Sequence, residues 1–170
     1  MERRPTEPTI GWVRYGSAMP DTTSDSPDRA TIAVEFIGTL TATTQAVTPV
    51  VVAGTTGTRV TVTVTEATLV GPKINATAVT GVAGGDWPLV RSDGTLLLDV
   101  RLNLRTDDGS DIFIAYAGIG TPIGDGMFNI RTAPMFQTAD PRYAWLNNAL
   151  GVGIGRSNPS GVVYDIYAVQ

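Results

Sequence analysis

From residue 31 onward, apolar and polar positions alternate over long stretches. In "GTRVTVTVTEATLV", Val60, Val62 and Val64 fall on one side, and Thr61, Thr63 and Thr65 on the other. A period of two is the signature of a strand with one face buried. "TIAVEFIGTLTATT" is likewise rich in β-branched residues. The clearest case is "TLLLDVRLNLRTDDGSDIFIAYAG". Leu96, Leu98, Val100, Leu102 and Leu104 share one face; Leu97, Asp99, Arg101, Asn103 and Arg105 share the other. Asp108-Gly109 supplies the positive-φ residues of a hairpin turn, and "DIFIAYA" returns as its second arm. "KINATAVTG" is a weaker strand signal, and "MFNIRTAPMFQT" reads as a strand broken near Pro134. "GVVYDIYAVQ" reads as a last strand, with Tyr164 and Ile166 opposite Asp165 and Tyr167.

One helix interrupts this pattern. In "ADPRYAWLNNALG", Asp140 suits the N-cap, Pro141 the first turn and Gly151 the C-terminal stop. At about ten residues it needs tertiary support. Glycine-rich "GIGTPIGDG", residues 118 to 126, reads as a mobile loop placed to act as a lid. The first 30 residues are rich in Pro, Ser, Thr and Asp and predict a flexible arm, with Trp12 and Tyr15 as its docking residues. The expected organisation is therefore an arm, 1–30, and one domain, 31–170. About seven to nine short strands and one helix imply a closed barrel or a sandwich.

Composition narrows the chemistry. The chain has 170 residues, 42% hydrophobic and 16% charged, with a net charge of -4. No Lys/Arg-rich run supplies the footprint of a nucleic-acid binder. Cysteine and histidine are both absent. Disulfides, thiolate nucleophiles and Ser-His-Asp triads are thereby excluded, and acid–base work falls to Asp, Glu, Tyr, Lys73, a backbone group or bound water. No apolar run reaches the roughly 20 residues of a membrane span. No apolar leader follows "MERRP", so a cytoplasmic protein is the expectation.

Several motifs have competing explanations. The carboxylates of "TDDGSD" do not have calcium-loop spacing, and a hairpin turn accounts for them, so no metal site is expected. "GVGIG", residues 151 to 155, lacks the third glycine and the preceding strand of a dinucleotide fingerprint; it reads as a strand edge or a close passage of backbones. Asp99 and Arg101 point the same way on their strand, either to solvent as a surface pair or into a barrel as an anion-holding pair. Tyr143, Trp145 and Asn147 in "RYAWLNN" either plug one end of the domain or wall a pocket. Arg131 is a strand-edge arginine or a second anion contact. In "GGDWPLVRSDG", Asp93-Gly94 is a turn, whereas the bend does not explain the adjacent Asp86 and Trp87.

"GGDW", "RSDG", "DVRLNLRTDDG", "RTAPMFQTADPRYAWLN" and "GVVYDIYAV" occur in the order found in the bacterial domain-of-unknown-function family 3237, which the chain resembles from about Gly57 onward. "GPKINATAVTG" departs from the glycine-rich pattern at that place, and the first 30 residues have no counterpart. The resemblance implies a single antiparallel β-barrel of about eight strands, similar to allene-oxide-cyclase-like and dirigent-like barrels. It also implies a homo-oligomer. Barrels of that kind bind apolar small molecules and guide isomerisation or cyclisation without a cofactor.

The leading expectation is a cofactor-independent isomerase, cyclase or lyase acting on a small, largely apolar molecule in the barrel. Asp86 is its candidate acid or base, with burial beside Trp87 raising its pKa. Arg101 and Arg131 are candidates for stabilising negative charge. Trp87, Asp99, Tyr116, Tyr143, Trp145 and Asn147 are candidates for binding substrate. A non-catalytic carrier of an apolar metabolite and a packed barrel with an interaction role are the alternatives.

Overall fold

The leucine stretch is a barrel stave with its leucines turned inward. A computed structural model describes residues 31–45, 52–82 and 84–170. The expected arm at 1–30 lies outside the described residues. The strands are β1 Val34–Gln45, β2 Val52–Gly54, β3 Gly57–Arg59, β4 Val62–Gly71, β5 Ile74–Ala78 and β6 Gly85–Asp86. They continue as β7 Leu89–Val90, β8 Leu96–Thr106, β9 Asp111–Gly124, β10 Met127–Gln137, β11 Gly151–Asn158 and β12 Gly161–Val169.

All pairings are antiparallel, and the sheet closes. β1 pairs with β12 and β4; β12, β11, β10, β9 and β8 follow one another round the wall. β5 and β6 share the stave between β4 and β8, which makes eight staves in all. β2, β3 and β7 form a ribbon attached to the start of β8. Closure leaves the main wall without a free edge.

Alternation decides which side chains fill the barrel. Leu98, Val100, Leu102 and Leu104 are buried, while Arg101 and Arg105 are exposed. Ile112, Ile114 and Tyr116 meet them from β9. Each fully buried Leu or Ile contributes roughly 1.5–3 kcal/mol. In β4 the inward set changes parity, from Val62 and Val64 to the buried Ala67 and Leu69. A bulge explains it: Thr44 pairs with Val64 but Thr43 with Glu66, so one extra residue flips the alternation.

Four local expectations need correction. The helix is a 3-10 helix, Pro141–Asn148, capped by Asp140, whose carboxylate accepts from the Arg142 backbone N–H at 2.9 Å. Its stop is Ala149, and Gly151 instead opens β11. "GIGTPIGDG" is not a loop: it ends β9 in register with β10, and the turn is confined to Gly124, Asp125 and Gly126, all at positive φ. β10 runs unbroken through Pro134, because its ladder to β11 covers only Asn129 to Thr132. Past Thr132 that ladder has stopped, so the missing N–H of Pro134 forfeits no bond. In the β8–β9 turn only Gly109, at φ 92, takes the positive value, and Asp108 does not.

One end of the barrel is sealed. Leu146 of the 3-10 helix is fully buried against the core. A polar clamp holds the helix there. Arg142 reaches Asp108 and Asp140 at 2.7 Å each, and Tyr143 donates to Asp108 at 3.0 Å. Asn147 accepts from the Thr138 N–H at 2.9 Å and donates to the Thr138 carbonyl at 3.0 Å.

β11 presents Gly151, Gly153 and Gly155 inward on alternate positions. A Cβ on Gly153 would lie 2.1 Å from Thr132 Oγ1, and one on Gly155 2.5 Å from Tyr164 Cδ1. The "GVGIG" motif is thus a bare strip of wall into which neighbouring side chains pack. Gly153→Ala is expected to destabilise the fold by about 1–3 kcal/mol, read by chemical denaturation. Adding Thr132→Ala should recover much of the loss, because it removes the clashing oxygen; no recovery would show that the cost has another source.

Candidate functional site

β6 is a two-residue strand wedged between β4 and β8. Asp86 sits directly opposite Val62 on one side and Val100 on the other. Opposed residues of antiparallel strands share a face. Val100 is in the core, so the Asp86 carboxylate faces the barrel interior. Gly85 makes the wedge possible, since a Cβ there would lie 2.9 Å from the Val62 carbonyl. The glycine before the acid therefore serves backbone approach as well as bending.

The Asp99 backbone N–H donates to Asp86 Oδ1 at 2.9 Å, and the Trp87 N–H donates to the Asp99 carbonyl at 3.0 Å. Burial pushes the Asp86 carboxyl up to about 6. The Asp99 N–H bond opposes this, and the Asp99 carboxylate adds repulsion. Among the described residues, no lysine or arginine contributes to this shift.

Two tyrosines complete the group. Tyr116, from β9, lies opposite Val100, and Tyr164, from β12, lies opposite Leu40. Both are buried, and their rings meet edge to face with centroids 5.9 Å apart. Burial drives both phenols well above the ordinary tyrosine range, and the Asp86 charge drives them further. At neutral pH the cluster is one largely ionised carboxylate and two protonated phenols.

The barrel is not uniform along its axis. Leu69, Leu102, Leu104, Ile112 and Ile114 fill the end that the 3-10 helix seals, and all are fully buried. Toward the other end, Val62, Val64, Leu96, Phe128 and Val162 are only half-buried, and so is Asp86. The acid and the two phenols stand between the packed half and this open half. That placement gives a proton acceptor and two hydrogen-bond donors against an apolar wall, which suits proton transfer to or from a small organic molecule.

The structure brings Asp86 and Tyr116 together and sets the other candidates apart. Trp87 alternates outward, where the Arg101 guanidinium lies 5.7 Å from its ring centre. Burial of Asp86 comes from its barrel neighbours, since the indole is on the outer face. Arg101 and Asp99 form an exposed pair at 2.9 Å, the surface arrangement of the two considered. Arg131 is exposed on β10 and donates to the Ile130 carbonyl at 2.7 Å. Tyr143, Trp145 and Asn147 belong to the sealed end; in a 3-10 helix Tyr143 and Asn147 no longer share a face. Trp145 instead lies under Lys73 Nζ at 5.7 Å. Tyr164 was not singled out as functional, although its inward face was readable from "VVYDIYAV". Its partnership with Asp86 is a long-range contact that no local pattern encodes. Among the described residues, no three Asp or Glu side chains come together as a metal site, and no helix is long and apolar enough to cross a membrane.

A family model described as a protein of unknown function (DUF3237) matches residues 32–169. A UPF0311 protein of Rhodopseudomonas palustris strain TIE-1 is 26% identical over 117 residues, which cover 59% of this chain and 76% of the relative. A β-barrel-like protein from Acinetobacter baumannii AYE superposes with a TM-score of 0.71 at 23% identity, over 85% of this chain and 100% of that one. An enzyme from Penicillium herquei superposes with a TM-score of 0.64 at 19% identity, over 87% and 100%. These two likenesses show the fold alone.

Asp86 has a stability consequence. Its folded pKa, about 6, is above the ordinary 3.8, so the folded state binds the proton more tightly. Stability therefore falls as the pH rises from 3.8 through about 6, and ionised Asp86 costs about 3 kcal/mol at neutral pH. Asp86→Asn is expected to stabilise the protein by up to about that amount near pH 8, with the gain shrinking below pH 6 and gone near pH 4. Urea denaturation at a series of pH values measures it; equal stability of the two proteins near pH 8 would refute the burial of this charge.

Proposed function

The chain belongs to the DUF3237 family, and we propose that it is a cofactor-independent enzyme that moves a proton on a small, largely apolar organic molecule held in the open half of the barrel. The supporting observation is the inward carboxylate of Asp86 beside the two phenols, without a countercation among the described residues. Near neutral pH, Asp86 acts as general base and, once protonated, returns the proton as general acid. Tyr116 and Tyr164 donate hydrogen bonds to the oxygen on which charge develops. Isomerisation, cyclisation and elimination all consist of such steps. The Penicillium herquei barrel is described as an enzyme, so this fold accommodates catalysis, an argument by fold analogy only.

The carrier reading remains the second one, supported by the same apolar walls. Exposed Ile119, Met135 and Ile154 on neighbouring strands of the outer face support a homo-oligomer.

Incubating the protein with an organic extract of its own cells in deuterium oxide separates the two. Mass spectrometry should find a compound that gains deuterium or rearranges with the wild type, at a rate that rises with pH through about 6. Asp86→Asn should slow that change by about a hundred-fold or more while remaining folded. A compound that binds both proteins and is recovered unchanged would support the carrier and end the enzyme reading.

A further inference from the structure

The charge pattern of the barrel restricts what the site accepts. Every described lysine and arginine is exposed: Arg59, Lys73, Arg91, Arg101, Arg105, Arg131, Arg142 and Arg156. Asp86 is therefore the single charged side chain described inside the wall, and the groups acting on the two phenols are each other and Asp86. The cluster offers one anionic acceptor and a neutral phenol pair in which Tyr116 also hydrogen-bonds to Tyr164.

Three ligand classes fare differently there. A carboxylate or phosphate ligand would accept from the phenols but would meet the Asp86 charge in a region of low dielectric, with no described cation to offset it. An ammonium ligand would satisfy Asp86 and could donate to a phenol oxygen, but it offers no acceptor to a phenol O–H. An uncharged molecule with a hydroxyl or carbonyl oxygen satisfies all three, its oxygen accepting from a tyrosine and its acidic hydrogen facing Asp86. Resting on the proton-transfer reading above, we propose that the site selects uncharged phenols or enolisable ketones, with Tyr116 and Tyr164 fixing the ligand oxygen and Asp86 excluding anions.

Binding of three shape-matched probes tests this by calorimetry without any turnover: naphthol, naphthoate and naphthylmethylammonium. Near pH 7.5, wild-type protein should bind naphthol at least about ten-fold more tightly than naphthoate, the equivalent of about 1.4 kcal/mol. Naphthol should also bind more tightly than the ammonium probe. Asp86→Asn should narrow the gap between naphthol and naphthoate to about two-fold or less. Tyr116→Phe and Tyr164→Phe should each weaken naphthol by about five- to ten-fold. Near pH 5.5 the wild-type gap should narrow as Asp86 takes up a proton. Of the other groups acting on Asp86, Tyr116 and Tyr164 stay protonated, Asp99, paired with Arg101 on the outer face, adds to the repulsion, and the opposed Val62 is apolar.

Naphthoate binding as tightly as naphthol, the ammonium probe binding more tightly, or naphthol failing to bind would each overturn the assignment. The Asp86→Asn turnover measurement is separate, so the ligand class and the proton-transfer role can fail independently. Thermal unfolding of each variant confirms that the barrel is intact.

Discussion

A closed barrel of eight staves is only just wide enough for side chains to fill. Each inward position therefore competes with its neighbours for volume. The alternate glycines of β11 are one result: Pro134, Thr132 and Tyr164 occupy the room that Gly151, Gly153 and Gly155 leave. The bulge in β4 is another, since it returns Ala67 and Leu69 to the inside after Val64. With space so limited, small residues on one strand decide where large ones on the next can stand. At Gly155 a Cβ would meet the Val163 carbonyl at 2.1 Å as well as the Tyr164 ring.

The same closure divides the barrel by polarity. Leucine and isoleucine pack the end sealed by the 3-10 helix, and the Arg142 clamp lies outside that seal, where its charges keep partial contact with water. Exposed ion pairs of this sort add little stability each, but this one also satisfies the helix cap. The open half keeps half-buried apolar side chains above Asp86, Tyr116 and Tyr164. A uniformly packed barrel would have no reason to hold a carboxylate there. Ionised Asp86 carries an energetic penalty at neutral pH, which the rest of the fold offsets.

Much of this was legible in the local pattern. The period of two located the long strands, and the leucine face of residues 96–104 is the inner face of β8. The ordered motifs from Gly57 onward pointed to the family that the match over 32–169 establishes. The absence of histidine and cysteine drew attention to carboxylates such as Asp86. Local propensity failed where tertiary pairing overrode it. Residues 118 to 124 have loop composition yet form strand, because β10 supplies a full ladder beside them. Pro134 sits inside a strand because the ladder to β11 stops at Thr132, so its missing N–H interrupts no pairing.

The sequence by itself determined the β class, the two alternating face sets of strands such as β8, and the short list of groups able to move a proton. Those follow from side-chain alternation and residue chemistry, which are local. Only the tertiary structure decided that Asp86 faces inward while Trp87 and Arg101 face out, because a two-residue strand takes its facing from the strands that clasp it. It likewise decided that Tyr116 and Tyr164, 48 positions apart in the chain, stand beside that acid. Contacts of such separation are set by barrel closure and register, which no short window of sequence contains.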